Sequence, residues 1–192
     1  MQFFEWYLPN DGFWWKRCAA KAQNLAGLGI TDIWLPPAYK CNSQNDVVYS
    51  IYDLYDLGEF DQKGTVRTKY GTKEEYIEAV KALHDEGMLV YADIVLNHRM
   101  GGDQLEKVRA IPVSPENRYK PVGDEQTISL WSKFTVPGRN DKYSTFKWDH
   151  TISQVQTGMK HQKSPVRYID SRERTGSLIR IRNSAVLTIL WE

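Results

Sequence analysis

The sequence is poor in cysteine, in long apolar runs and in any excess of one charge, and each shortage removes a class of protein. Its two cysteines, Cys18 and Cys41, make neither a disulfide framework nor a zinc spacing in 192 residues, so both are expected to be buried or incidental thiols. No apolar stretch approaches the ~20 residues of a membrane-spanning helix, and no basic segment followed by an apolar one opens the chain. Neither a membrane partner nor a secretion address is indicated, and the literal reading is a cytoplasmic protein, with a leader upstream of Met1 equally compatible. A formal net charge of +1, from 25 Lys and Arg against 24 Asp and Glu, offers no electrostatic footprint for nucleic acid. What remains, 41% hydrophobic and 26% charged, is the composition of an ordinary globular protein.

Aromatic residues are not scarce. The chain has 7 Trp and 11 Tyr, and the first 60 residues hold Trp6, Tyr7, Trp14, Trp15, Trp34, Tyr39, Tyr49, Tyr52 and Tyr55. Most are expected in a core, but Tyr49, Tyr52 and Tyr55 fall in a loop, where an apolar ring with a polar tip suits a sugar face.

The pattern along the chain alternates strand and helix. Met1 to Tyr7 reads as a strand halted by Pro9-Asn10-Asp11-Gly12. A helix from about Phe13 carries Trp15, Cys18, Ala22, Leu25 and Ala26 at helical spacing, with Gly29 as its stop. Ile30 to Leu35 is a second strand ended by Pro36-Pro37. A long aromatic connection follows from Ala38 to Gly71, and loops of that length tend to be functional. Thr72-Lys73-Glu74-Glu75 is a capping box for a helix with Tyr76, Ile77, Val80 and Leu83 as its core stripe. The third strand, Met88 to Leu96, has no polar alternation beyond Asp93, which predicts cover on both faces, and it runs into Asn97-His98. This order specifies α/β with a parallel sheet; alternation alone does not separate an open doubly wound sheet from a barrel. From Arg99 to Asp149 scattered Pro and Gly and the alternation of Thr127 to Phe134 indicate a β-rich insertion.

Five strings then identify a family. Gln2-Phe3-Phe4-Glu5-Trp6-Tyr7-Leu8-Pro9-Asn10-Asp11-Gly12, Trp34-Leu35-Pro36-Pro37-Ala38-Tyr39-Lys40, Tyr52-Asp53-Leu54-Tyr55-Asp56-Leu57-Gly58-Glu59-Phe60, Lys63 to Thr72 and Asp93-x-x-x-Asn97-His98, in that order, closely resemble the liquefying and cytoplasmic bacterial α-amylases. The likeness runs to about residue 150 and includes Pro137-Gly138-Arg139 and Phe146-Lys147-Trp148. It implies a (β/α)8 barrel with a β-rich domain inserted after the third strand, a monomer, and retaining endo-hydrolysis of α-1,4 glucans such as starch or glycogen. On that reading 1–98 are three βα units of an incomplete barrel, 99–150 part of the inserted domain, and 151–192 a non-family tail.

The resemblance also assigns roles. His98 would hydrogen-bond the sugar at the cleavage subsite, Tyr49 would stack under the same ring, and Gln2 and Trp6 would line the floor. Asp93 would orient the polar network beneath, and Asn97 would ligate a structural Ca2+, an ion that prefers oxygen donors. Val48 and Ser50 stand where the family flanks this tyrosine with glycines. Retaining catalysis needs two carboxylates roughly 5 Å apart. The resemblance puts them on the fourth and fifth strands, and no segment after His98 offers an apolar strand ending in Arg-x-Asp; Tyr168-Ile169-Asp170 comes nearest and lacks the upstream arginine. A barrel of this type needs ~250 residues, and 151–192 carry 7 Lys or Arg against 3 Asp or Glu. The expectation is therefore a truncated chain with a frame-shifted or disordered tail, inactive alone. The alternative is a non-catalytic glucan-binding fragment.

Overall fold

The computed structural model describes residues 1–46, 49–96, 98–114, 116–117 and 119–151, with the backbone of Val155–Gln156 and Arg167–Asp170. Its described residues divide into two compact units, 1–100 with 136–145 and 101–135 with the segment from Phe146 onward. The division differs from the contiguous insertion expected over 99–150, because ten residues of that span return to the first unit.

The first unit is built on helix α1 (Trp14–Gly27), which buries Trp15, Cys18, Ala22 and Leu25 along one stripe. Gly29, in the left-handed region at φ 80°, turns the chain so that the Ile30 N–H reaches the Leu25 carbonyl at 3.1 Å. Strand β1 (Asp32–Leu35) follows. After the long connection, α2 (Lys73–Asp85) opens on the expected capping box, in which Thr72 and Glu75 satisfy each other's backbone N–H groups. Strand β4 (Leu89–Ala92) then lies parallel to β1, with Trp34 opposite Tyr91. Side chains alternate across β1, sending Ile33 and Leu35 into one cluster with Trp15, Cys18, Ala79, Leu83 and Met88. Both helices thus pack on the same face of the parallel strands.

Three expectations need correction here. Met1 to Tyr7 is not a strand: only Gln2 makes an isolated parallel bridge, to Trp34, because Pro9 and the turn at Trp6 and Tyr7 draw the chain away. The third strand is not covered on both faces along its whole length; Leu89, at its start, is 53% exposed. In α2 it is Ala79 rather than Ile77 that enters the core: Ile77 is 54% exposed because it lies off the helix's buried stripe of Glu75, Ala79 and Leu83.

The described part of the long connection has structure of its own. β2 (Lys40–Cys41) and β3 (Ile51–Asp53) pair antiparallel, and Tyr52, expected on a sugar face, is buried instead. Beneath it lies a polar network that water does not reach. The Lys40 ammonium donates to the carbonyls of Phe60, Thr65 and Val66 at 3.0, 2.7 and 2.6 Å and sits 3.5 Å from the Asp56 carboxylate. Asp56 in turn accepts the N–H groups of Gly58, Glu59 and Phe60. Gln62 donates to Asp53 and to Asp56, and the Arg139 Nε–H donates to Asp53 at 2.8 Å. Buried charges are tolerated only with such partners. Cys18 and Cys41 are both free and buried, as expected, and burial pushes each thiol up to about 12.

Arg139 belongs to the returning segment 136–145, whose single turn of 3-10 helix (Pro137–Arg139) is flanked by left-handed residues: Val136 (φ 42°), Asn140 (46°), Asp141 (62°) and Tyr143 (73°). For a β-branched residue such as Val136 that conformation is costly and persists only where surroundings impose it. Arg139 braces the downstream part of the turn by donating to the Lys142 and Ser144 carbonyls. At Gly138 a side chain would meet the Asp61 carbonyl. Outside, Glu59 collects Lys73, Lys142 and Tyr143.

Desolvation pushes the Glu59 carboxyl up, but hydrogen bonds from Lys142, Lys73 and Tyr143 outweigh it and hold the group at about 2 instead of 4.5. A folded value below the unfolded one stabilises the fold above about pH 4.5, and that stabilisation is lost as pH falls towards about 2. Glu75 and Glu106 are also lowered and act in the same direction. Urea midpoints are expected to fall between about pH 6 and pH 3, with Glu59 contributing about 1 to 2 kcal/mol once solvent screening is allowed for; the fall should shrink in Glu59→Gln.

The second unit is an antiparallel pair, β5 (Gln104–Val113) and β6 (Gln126–Lys133), burying Val108, Ala110, Ile128 and Leu130 on one side. This matches the alternation read in Thr127 to Phe134. Backbone of β7 (Val155–Gln156) and β8 (Arg167–Asp170) extends the sheet in the order β6-β5-β8-β7. The remainder of 152–192, and with it most of the expected aberrant tail, lies outside the described residues.

Candidate functional site

The face of the parallel strands turned away from the helices gathers several of the polar and aromatic side chains singled out in the sequence. Gln2, Trp34 and Tyr91 are opposite one another in register and share that face, and Asp93 stands two residues beyond Tyr91, just past the carboxyl end of β4. This is the end of such strands where α/β folds build sites. Asp93 is buried, and it accepts the Tyr49 hydroxyl at 2.8 Å and a hydrogen bond from the Trp34 indole. Burial raises its pKa in spite of those two donors. Tyr49 is raised as well, by burial and by the carboxylate it serves, so its hydroxyl stays protonated as a donor.

The Trp6 and Tyr49 rings are stacked, with centroids 6.1 Å apart and planes 9° from parallel. His98 reaches the same tyrosine from the other chain segment, its Nε2 lying 2.6 Å from the Tyr49 carbonyl oxygen. Behind it, Arg99 donates to the carbonyls of Val95 and His98, at 3.0 and 2.7 Å. Burial lowers that guanidinium to about 10. Tyr39, Ile51 and Val95 form a small apolar cluster against which Tyr49 packs.

Four of the six residues singled out in the sequence therefore come together: Tyr49 touches Asp93, Trp6 and His98. Gln2 shares the face but turns its amide back to the Phe4 carbonyl at 3.0 Å. Asn97 lies outside the described residues, and among those residues no three His, Cys, Asp or Glu side chains gather as a metal set. Sequence reasoning missed Trp34 and Arg99. Trp34 was recoverable, because strand alternation puts it opposite the helix-facing Ile33 and Leu35; Arg99 left no signal beyond following His98.

The family described as alpha amylase, catalytic domain, matches residues 15–121, more than half of the chain. The chain belongs to the α-amylase family. An α-amylase of Geobacillus stearothermophilus is 55% identical to this family member over 148 residues, 77% of this chain and 27% of that protein. The cytoplasmic α-amylase of Escherichia coli is 40% identical over 168 residues, 86% of this chain and 33% of that one. Among solved structures, a truncated alternansucrase from Leuconostoc mesenteroides superposes with a TM-score of 0.64 at 25% identity, covering 74% of this chain and 14% of its own. This α-amylase-family chain thus spans about a quarter to a third of the length of these curated relatives. Family and structural likeness together give its fold class, a piece of an α/β barrel. Among the described residues no helix is long and apolar enough to cross a membrane.

Proposed function

We infer that this face is the glucan-contacting wall of an α-amylase site, serving retaining endo-hydrolysis of α-1,4 bonds in starch or glycogen. The observation that carries the reading is the Tyr49 phenol, held by Asp93 at 2.8 Å and backed by the Trp6 ring. A ring fixed at its polar end presents a rigid apolar face to a pyranose at little entropic cost. His98 contributes a ring nitrogen to sugar hydroxyls, and Gln2 an amide at the floor. Asp93 acts through its neighbours, keeping Tyr49 and Trp34 in place.

Hydrolysis itself requires a nucleophile and an acid about 5 Å apart, which the resemblance places on barrel strands later than β4. The three βα units, the inserted domain and the divergent 151–192 belong to the same reading, as do Asn97 as a calcium ligand, a monomeric state and the cytoplasmic compartment printed for the Escherichia coli relative. General acid assistance alone is worth roughly 10² to 10⁴ in rate. The purified 192-residue chain is therefore expected to release no reducing sugar from soluble starch yet to be retarded in a starch-containing native gel. Reducing-sugar release that survives repeated purification overturns the inactivity; migration indifferent to starch overturns the glucan wall.

A further inference from the structure

Tyr49 is followed by a buried serine. Ser50 is 5% exposed, and its hydroxyl donates to the carboxylate of Asp46, four residues earlier. The Ser50 carbonyl accepts the Asn42 N–H at 2.9 Å, and the Asp46 N–H is tied to the Ser43 carbonyl at 3.3 Å. Asn45, beside Asp46, accepts the side-chain amide of Asn10, four residues from Trp6. A hydroxyl-to-carboxylate bond is roughly twice as strong as a neutral one.

The tyrosine is thus fixed at three places: its phenol by Asp93, its carbonyl by His98 and its downstream neighbour by Asp46. The first two involve groups assigned to the sugar face. The third does not, and it lies on the segment whose other contacts lead back towards Trp6. We propose that Ser50 and Asp46 form a side-chain latch that sets the pitch of the Tyr49 ring against Trp6, and through it the affinity of this face for an α-glucan. The affinity half rests on the glucan reading above; the ring geometry does not. Ser50 and Asp46 are positioning residues, since stacked contacts lose strength when a supporting shell lets them shift by more than ~0.5 Å.

The test uses the full 192-residue chain with 5-fluorotryptophan incorporated, the Trp6 resonance being assigned by Trp6→Phe. Ser50→Ala removes the hydroxyl and keeps the backbone preference, whereas Asp46→Asn retains a carbonyl acceptor for the same bond. The expected result is a displaced or broadened Trp6 fluorine resonance in Ser50→Ala, a nearly unchanged one in Asp46→Asn, and maltoheptaose binding weakened about 3- to 10-fold in the alanine variant only. A Ser50→Ala chain that melts earlier but keeps the wild-type Trp6 resonance overturns the latch. If wild-type chain ignores maltoheptaose while the Trp6 resonance still responds to Ser50→Ala, the latch stands and the glucan reading fails. Where Ser50→Ala does not fold, Asp46→Ala, which removes the acceptor and leaves Ser50 in place, is read in the same way.

Discussion

Replacing Arg139 by alanine is expected to destabilise the chain by about 3 to 5 kcal/mol, because it removes the cation hydrogen-bonded to a buried carboxylate. Arg139 is 2% exposed and Asp53 4%, so water cannot replace the lost guanidinium. Gln62 still donates to Asp53 at 3.1 Å, but an amide does not neutralise charge. The Lys142 and Ser144 carbonyls lose this donor at the same time, in the stretch where Asn140, Asp141 and Tyr143 are left-handed. Arg139→Lys should recover less than half of the loss, since an ammonium cannot span Asp53 and two carbonyls in one plane as the guanidinium fork does. Urea unfolding followed by circular dichroism measures both: the midpoint falls while the slope is retained. A loss below about 1 kcal/mol in Arg139→Ala would show that the segment 136–145 holds its shape by other means.

Tyr49→Ala is expected to weaken binding of maltoheptaose by about 2 to 3 kcal/mol, roughly 30- to 150-fold, the cost of removing a packed aromatic anchor from a binding face. The truncation removes the apolar ring, frees one face of Trp6 and leaves buried Asp93 with the Trp34 indole as its remaining side-chain donor. Tyr49→Phe separates these effects. It keeps the stack and deletes only the hydrogen bond to Asp93, so binding should fall by about 1 kcal/mol, while the raised Asp93 carboxyl rises further for want of a donor. Calorimetric titration gives the affinities, and equal losses in the two variants would deny the ring any stacking role.

Much of the first unit was legible because its signals are local. The Trp15 to Leu25 stripe, the Thr72 to Glu75 box and the glycine after Leu28 each act within one or two helical turns, where period and propensity decide the outcome. The errors arose where the decision came from elsewhere in the chain. Ile77 has the hydrophobicity of a core residue, yet its place on α2 faces away from α1. Tyr52 looked like a loop aromatic and is buried, because the loop folds back as β2 and β3. The family motif named Tyr49, Asp93, His98 and Trp6 but not how they touch.

By itself the sequence determined the alternation of strand and helix, the parallel pairing it implies, the β-rich character of the second unit and the α-amylase family. Only the tertiary structure decided that Tyr49 is the common partner of Trp6, Asp93 and His98, and that Asp53 meets Arg139 across 86 residues of chain. Periodicity reports what a residue faces within its own element. A buried carboxylate finds its donor wherever the packed backbone brings one, and no local pattern encodes that meeting.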